Sequence, residues 1–209
     1  MTNTMSFIAF LTTAILLAIT PGPGIAYVVA RTVAGGRTEG LTSCFGTCIG
    51  GMFHVLGAAF GLSVLIAQSA VAFNMIKYLG AVYLIYLGIR LLLCKEEALP
   101  VEPIVSQGTH SALFEGIFVE VFNVKTALFF LAFLPQFSLP GKPLAPQLML
   151  LGSICVVLNT LVDVIAVFAI NRLLKSSNTS TARARLLTWA SGLTMLGLGA
   201  YLAIARRNA

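Results

Sequence analysis

The sequence predicts an all-α integral membrane protein with six transmembrane helices, because of its composition and its repeated apolar segments. Of the 209 residues, 58% are hydrophobic and 10% are charged, whereas soluble domains carry about 25% charged residues. Apolar segments of the roughly 17–25 residues that a membrane-spanning helix needs recur along the whole chain. We therefore expect a multi-pass protein embedded in the lipid bilayer.

Six spans are predicted, and short polar or basic segments separate them. They are Phe7–Ala30, Leu41–Ala67, Ala70–Leu93, Ala112–Pro135, Ala145–Ile170 and Leu186–Ala205. Only Gln68 and Ser69 separate the second span from the third, so a five-span arrangement with one re-entrant segment remains an alternative. The first basic residue is Arg31, so the N-terminal segment lacks the charged start of a signal peptide and is predicted to be a retained span.

The first span contains an expected break at residues 20–24, Thr-Pro-Gly-Pro-Gly. Pro21 and Pro23 have no N–H, and the carbonyls of Leu17 and Ile19 are therefore expected to lose their helical hydrogen bonds. Irregular backbone inside a bilayer is tolerated only where it is buried or lines a wet cavity. We therefore predict a substrate-binding site at this break, formed by Thr20, Pro21, Gly22, Pro23 and Gly24.

Basic residues in the short loops predict the orientation of the spans. The first, third and fifth loops hold eight basic residues, and the opposite side holds four. The eight are Arg31, Arg37, Arg90, Lys95, Arg172, Lys175, Arg183 and Arg185, and the four are Lys77, Lys142, Arg206 and Arg207. This excess predicts that both termini lie outside the cytoplasm.

The longest polar segment, residues 95–111, is predicted to be a cytoplasmic loop between two halves of one membrane domain, residues 1–209. The halves are residues 1–94 and 112–209, with three predicted spans each. Because three is an odd number, a duplicated half must lie upside down relative to its partner, as in many carriers. The sequence therefore predicts a 3+3 inverted repeat.

The second span carries a stripe of small residues that also contains a histidine. At about 100° per residue, these side chains fall within about 80° of one another. They are Gly46, Gly50, His54, Gly57 and Gly61. Small residues allow close helix packing or a homodimer contact. His54 is either part of that packing or a candidate proton carrier, because imidazole titrates near neutral pH.

The fourth and fifth spans contain ionisable residues well inside apolar sequence. Glu120 and Asn123 share one helical face, whereas a regular helix would turn Lys125 toward lipid, at a cost of about 2.5–3.5 kcal/mol. Either the helix is distorted there or Lys125 faces protein, and Asn123 and Lys125 are therefore predicted to bind substrate. Asp163, the only aspartate, aligns with Asn159 on the fifth span. With His54, Glu120 and Asp163 are the candidates for proton coupling.

Several function classes find little support in the chain. The net charge of +6 comes with no basic run interleaved with aromatic residues, so no nucleic-acid partner is predicted. Cys44 and Cys48 project away from His54, so neither a metal site nor a cofactor is predicted. No serine lies in a glycine-rich nucleophile turn, and we predict no enzyme. Two alternatives remain: a transmembrane thiol–disulfide electron carrier pairing Cys44 or Cys48 with Cys155, and a cation or metal exporter.

Four motifs occur in order along the chain. They are Thr20-Pro21-Gly22-Pro23, Gly35-Gly36-Arg37-x-x-Gly40, Lys77-Tyr78-Leu79-Gly80-Ala81-x-Tyr83-Leu84-x-Tyr86-Leu87-Gly88, and Phe114-x-Gly116 followed by Asn123-x-Lys125. Over essentially its whole length the sequence resembles the lysine-exporter (LysE/RhtB) family of bacterial amino-acid efflux carriers. The resemblance implies a protein of the bacterial cytoplasmic (inner) membrane, so the termini that the basic residues place outside the cytoplasm are predicted to be periplasmic. It also implies proton-driven export of an amino acid or derivative, such as threonine, homoserine, homoserine lactone, leucine or lysine.

The chain departs from this family in the fourth span. Family members commonly have Asn-Pro-Lys there, whereas this chain has Val124 between Asn123 and Lys125. Valine restores a backbone donor, so a break in this span is expected to be shallower than one made by proline.

The leading hypothesis is a secondary carrier for a zwitterionic amino acid. Main-chain N–H groups at about Gly24–Tyr27 would suit the substrate carboxylate, with Lys125 as a second positive charge. The carbonyls of Leu17 and Ile19 would suit the substrate ammonium. Asp163 or Glu120 would bind that ammonium or the coupling proton.

Overall fold

A computed structural model of the chain describes residues 4–62, 69–93 and 106–174, with five single positions between 193 and 203. Within these ranges the regular elements are all helical. They are α1 (Thr4–Ile19), α2 (Pro23–Leu56), α3 (Ala70–Leu93), α4 (Thr109–Val121), α5 (Val124–Leu128) and α6 (Leu144–Leu174). Helix α2 continues as a π-helix over Gly57–Leu62, and α5 continues as a π-helix over Phe129–Phe133 and a 3-10 helix over Leu134–Phe137. Apart from those five positions, the predicted sixth span lies outside the described residues.

The chain is interrupted between α1 and α2, where the sequence predicts the break. The N–H of Thr20 donates to the carbonyls of Leu16 and Leu17, both at 3.2 Å, and this bifurcated bond tightens the last turn of α1. Gly22 is extended, with φ −152° and ψ −176°. Helix α2 then begins at Pro23, whose fixed φ suits the first turn of a helix.

The predicted loop between the first two spans is a single-residue kink inside α2. Gly36 has φ 72° and ψ −165°, a conformation that only glycine adopts at no steric cost. Helical structure continues on both sides of it, so α2 runs for 34 residues. The predicted first and second spans are therefore joined without an extended linker.

A second interruption separates α4 from α5, although no proline is present. The two segments of this span are bent by 42°. In a regular helix the N–H of Lys125 would bond the carbonyl of Val121, but here it donates to Oδ1 of Asn123 at 3.1 Å. The side chain of Asn123 caps the new helix. A distortion at these residues was one of the two possibilities that the position of Lys125 left open.

The described helices are those of a membrane protein. Residues Pro23–Gly61 and Leu144–Arg172 are each long and apolar enough to cross a bilayer, and the bent pair α4–α5 makes a third candidate. Large apolar side chains on outer faces, such as Leu79, Phe122 and Ile165, are at least 65% exposed, as lipid-facing residues are. The count of six helices and the inverted repeat remain predictions.

The small-residue stripe of α2 packs its first part directly against α4. A Cβ added to Gly46 would collide with the carbonyl oxygen of Leu113, and one added to Gly50 would lie 2.7 Å from the carbonyl oxygen of Ile117. Backbone therefore meets backbone at these two positions. By contrast, a Cβ added to Gly57 would meet no described atom within 4 Å.

This contrast predicts different effects for two alanine substitutions in the same stripe. Gly46→Ala should destabilise the protein by about 1–3 kcal/mol, because the α2–α4 backbones must separate to admit the methyl group. Gly57→Ala should be neutral or slightly stabilising, because it adds helix propensity without a clash. Thermal unfolding in detergent measures both, and equal melting temperatures for the two variants would contradict the packing described here.

Candidate functional site

The two helix breaks lie directly against each other. The side chain of Lys125, at the start of α5, reaches the end of α1, where Nζ donates to the carbonyl of Leu17 at 3.2 Å and that of Thr20 at 2.8 Å. Lys125 is only 6% exposed. A Cβ added to Gly22 would lie 3.0 Å from Nζ, so the extended glycine makes room for the ammonium group.

Glu120, in the last turn of α4, faces the first turn of α2. Its Oε2 accepts a hydrogen bond from Nδ2 of Asn123 at 3.0 Å, and its Oε1 accepts one from Oγ1 of Thr126 at 2.7 Å. A Cβ added to Gly24 would lie 2.5 Å from Oε2 of Glu120. Glycine at position 24 therefore allows the carboxylate to approach the α2 backbone.

Asp163 supplies a second carboxylate from α6. Its Oδ2 accepts a hydrogen bond from Oγ1 of Thr47 at 3.1 Å, and the residue is buried. Among the described residues, its hydrogen-bond partner is therefore a threonine of α2. Within the described ranges, Lys125 forms no ion pair with Asp163 or with Glu120.

These groups surround a pocket with about 440 Å³ of empty space, part of it open to the outside. One ammonium group and two carboxylates line it, together with small and polar side chains. The lining residues are Ala18, Gly24, Ile25, Thr47, Gly51, Glu120, Asn123, Lys125, Thr126, Val156, Asn159, Thr160 and Asp163. The pocket is thus polar and carries charges of both signs at the meeting point of the two breaks.

The predicted site residues fall into three groups. Five line the pocket: Gly24, Glu120, Asn123, Lys125 and Asp163. Thr20 and Gly22 contact Lys125 through the Thr20 carbonyl and the Gly22 backbone, while Pro21 and Pro23 shape the break itself. His54 is absent from the pocket lining.

His54 instead contacts the backbone at the second break. Its Nε2 lies 2.8 Å from the carbonyl oxygen of Glu120, and because a carbonyl only accepts, Nε2 carries the hydrogen. The same carbonyl accepts the N–H of Asn123 at 3.0 Å. The imidazole ring also packs near Phe130, with centroids 5.9 Å apart. These contacts fit the packing interpretation of His54.

Four polar lining residues were not among the predicted site residues. Thr47, Thr126, Asn159 and Thr160 are individually unremarkable on helices, where threonine commonly bonds its own backbone, as Thr160 does to the carbonyl of Val156. Asn159 carried a signal, because it lies one helical turn from Asp163. Its position, four residues before Asp163, was a sufficient reason to predict it as a site residue.

A second polar cluster, which the sequence did not predict, is centred on Arg31. The sequence treated this residue as a marker of orientation, but its side chain is fully buried. Arg31 donates to Tyr27 at 3.0 Å, to Glu39 at 3.4 Å and to Glu115 at 2.6 Å. Glu39 in turn accepts from Ser106 and from the N–H of Gly108. This Arg31 cluster joins α2 to the start of α4.

The described cysteines are not among the residues that line the pocket. Cys44, Cys48 and Cys155 are free thiols, and none of the three lines the pocket. Cys94 lies outside the described residues. The thiol–disulfide alternative therefore has no cysteine among the described residues at the two breaks.

Comparison with known proteins identifies relatives that cover most of the chain. Residues 15–206 match the family described as LysE type translocator. An uncharacterized membrane protein of Vibrio cholerae is 29% identical over 207 residues, which cover 96% of this chain and 97% of that protein. The uncharacterized membrane protein YrhP of Bacillus subtilis is 29% identical over 204 residues, 93% of this chain and 96% of the relative.

One group of relatives carries a functional name. A homoserine/homoserine lactone efflux protein of Salmonella typhi is 31% identical over 155 residues, which cover 74% of this chain and 75% of that protein. The corresponding protein of Salmonella typhimurium matches equally well, at 31% over 155 residues. No solved structure matches the chain significantly.

Proposed function

Because the chain belongs to the family of LysE type translocators, we propose that it is a secondary carrier that exports an amino acid or a close derivative from the bacterial cytoplasm. One observation supports this most directly. The two helix breaks meet at a pocket lined by one ammonium group and two carboxylates. A zwitterionic amino acid has the complementary pair of charges.

In this proposal the substrate carboxylate binds between Lys125 and the start of α2. An ammonium group has three N–H donors, and two of those on Lys125 are used by the carbonyls of Leu17 and Thr20. The third has no protein partner among the described residues. Gly24 and Ile25 line the pocket in the first turn of α2, where N–H groups have no intrahelical acceptor and the helix dipole favours an anion.

The substrate ammonium would then face the carboxylates of Glu120 and Asp163. The sequence placed this ammonium at the freed carbonyls of Leu17 and Ile19, but Lys125 already bonds the first of these. The acidic side of the pocket is the better partner. Among the described residues, Asp163 has one hydrogen bond, from Thr47, which leaves its other oxygen for a substrate N–H or a coupling proton.

The substrate is proposed to be a small amino acid with a polar side chain, such as homoserine; its lactone keeps the ammonium group but has no carboxylate, and is the derivative to compare. The named Salmonella relatives support homoserine, and the side chains of Asn159 and Thr126 give the pocket polar surface that would suit a hydroxyl or lactone oxygen. Threonine, which has a side-chain hydroxyl, and leucine and lysine, which do not, are the next substrates to compare.

Proton antiport and the location of the carrier are further parts of the proposal. Glu120 and Asp163 lie at one pocket, so protonation of one would relieve repulsion between the two carboxylates when no substrate is bound. The excess of basic residues in the predicted cytoplasmic loops supports an inner-membrane protein with periplasmic termini. Among the described residues no atom lies within 4 Å of a Cβ added to Gly57, and this part of the stripe is the proposed contact of a homodimer.

Transport into inside-out membrane vesicles tests the proposed function. With an acidic interior, we expect uptake of homoserine or homoserine lactone above that of vesicles without the protein, and a protonophore should abolish it. Uptake that survives the protonophore would contradict proton coupling but would leave amino-acid export supported. Failure to transport any of homoserine, its lactone, threonine, leucine and lysine would contradict amino-acid export.

The first break makes a specific prediction in the same assay. Pro21→Ala should lower uptake by about tenfold, because it returns an N–H to the carbonyl of Leu17 and favours a continuous helix through the site. Pro143→Ala, in an exposed turn before α6, is the matched control and should transport normally. Normal transport by Pro21→Ala would show that the break is unnecessary.

A further inference from the structure

We propose that the carbonyls of Leu17 and Thr20 form a binding site for a monovalent cation, and that Lys125 fills this site permanently with its own ammonium group. The site is thus supplied with its cation by the chain, and the protein needs no sodium ion there. The inference concerns the site that the proposed function uses, but it is tested by stability and does not depend on transport.

The end of α1 presents carbonyl oxygens that lack their regular helical donors, although that of Leu17 still accepts the N–H of Thr20 at 3.2 Å. Pro21 has no N–H to offer Leu17, and Pro23 has none for Ile19, so the last turn of α1 loses donors that a continuous helix would supply. The C-terminal end of a helix also carries a partial negative charge of about half a unit. Within a bilayer, such a group needs a partner from the protein or from water in the adjoining pocket, because lipid offers no donor.

Lys125 satisfies this end with a full positive charge. Nζ bonds two carbonyls, at 3.2 Å and 2.8 Å, and these oxygens belong to residues three apart at the same helix end. Oxygen atoms arranged in this way are ligands for a small hard cation as well as for an ammonium group. Within the described ranges no carboxylate forms an ion pair with Lys125, so its direct partners are main-chain carbonyls.

Two further features keep the ammonium group in place. The residue is buried, with 6% of its surface exposed. Gly22 lies against Nζ and Cε, each 3.0 Å from the position of an added Cβ. A side chain at position 22 would therefore press on the ammonium group. The path of Lys125 from α5 to α1 is short and enclosed, which is the arrangement expected of a fixed ligand.

Removal of the lysine side chain should create a vacant cation site. In detergent, Lys125→Ala should have a lower melting temperature than the wild type. Methylammonium chloride should raise that temperature in a saturable way, by on the order of 3 °C, because the free cation replaces the lost N–H donors. Tetramethylammonium chloride at equal concentration has no N–H donor and should not do so.

Matched variants separate this site from a general salt effect. Lys125→Met fills the same space with an uncharged chain, so methylammonium should leave its melting temperature unchanged. Lys142→Ala, at an exposed position, should behave as the wild type does. A similar response of Lys125→Ala and Lys142→Ala to methylammonium, or no response from Lys125→Ala, would overturn the proposal.

A second measurement tests the proposal even if Lys125→Ala does not fold. Lys125→Arg keeps a cation and Lys125→Met does not, although both fill the site, so the arginine variant should be the more stable. The wild type should melt at the same temperature in sodium, potassium and choline chloride. Equal stability of the two variants, or stabilisation of the wild type by sodium alone, would contradict a site filled by Lys125. Because none of these measurements uses substrate, their failure is distinct from failure of the amino-acid export proposal.

Discussion

Glu120→Gln is expected to lower transport by about 100-fold while leaving a folded protein. The carboxylate accepts hydrogen bonds from Asn123 and Thr126 on its two oxygens and faces the pocket beside Gly24. Glutamine has nearly the same size but only one acceptor oxygen, and it removes one of two negative charges proposed to hold the substrate ammonium. Truncating a buried charged partner costs about 2–5 kcal/mol of binding, and about 2.7 kcal/mol corresponds to 100-fold.

Initial uptake rates in inside-out vesicles measure this effect at equal amounts of protein. Glu102→Gln, in the polar segment between the two halves, removes the same charge and is the matched control, with uptake expected to be unchanged. The melting temperature of Glu120→Gln in detergent separates a loss of transport from a loss of folding. Uptake by Glu120→Gln within a factor of two of the wild type would exclude Glu120 from recognition and coupling.

Arg31→Met is expected to cause the largest loss of stability, about 3–5 kcal/mol, because it leaves the buried carboxylate of Glu39 without its cation. Arg31 is fully buried and pairs with Glu39 and Glu115. Methionine would fill much of the space without a charge or a donor. Glu39, which is 4% exposed, would keep its hydrogen bonds from Ser106 and Gly108 but would lose its ion pair. The side chain of Glu115 is 44% exposed, so water would partly compensate it.

Thermal unfolding in detergent measures this prediction, with a decrease on the order of 10 °C. Arg37→Met is a matched control in the same helix, since Arg37 is exposed and lies over the ring of Phe168 at 4.3 Å. Its loss should cost only about 0.5–1 kcal/mol. If the two arginine variants have the same melting temperature, the Arg31 cluster contributes little to stability.

The two breaks show what the sequence could and could not predict. Pro21 removes a donor by its covalent structure, so the end of α1 follows from local sequence alone. The break at Asn123 depends on a side-chain oxygen taking the N–H of Lys125, and an asparagine before valine predicts no such geometry by itself. The position of Lys125 on a lipid-facing stripe was the indirect signal that the helix could not be regular.

The Arg31 cluster was missed for a different reason. Arg31 and Glu115 are 84 residues apart, and helical periodicity contains no information about contacts between distant segments. The rule that counts basic residues near membrane surfaces treats every arginine alike. Likewise the expected first loop is only a kink, because one glycine with positive φ at position 36 turns the chain without a linker. Tertiary packing decides such details.

The two interruptions also differ in how readily they can be undone. The one between α1 and α2 is permanent, since no side-chain rotation gives Pro21 or Pro23 an N–H. At the other, Val124 keeps its N–H, and the interruption rests on the extended backbone of Asn123, with ψ 97°, and on its side chain accepting the N–H of Lys125. One break is therefore fixed by covalent structure, whereas the other depends on the conformation of a single asparagine. A carrier that must open to each face of the membrane in turn would find its moving part in the second half of the chain.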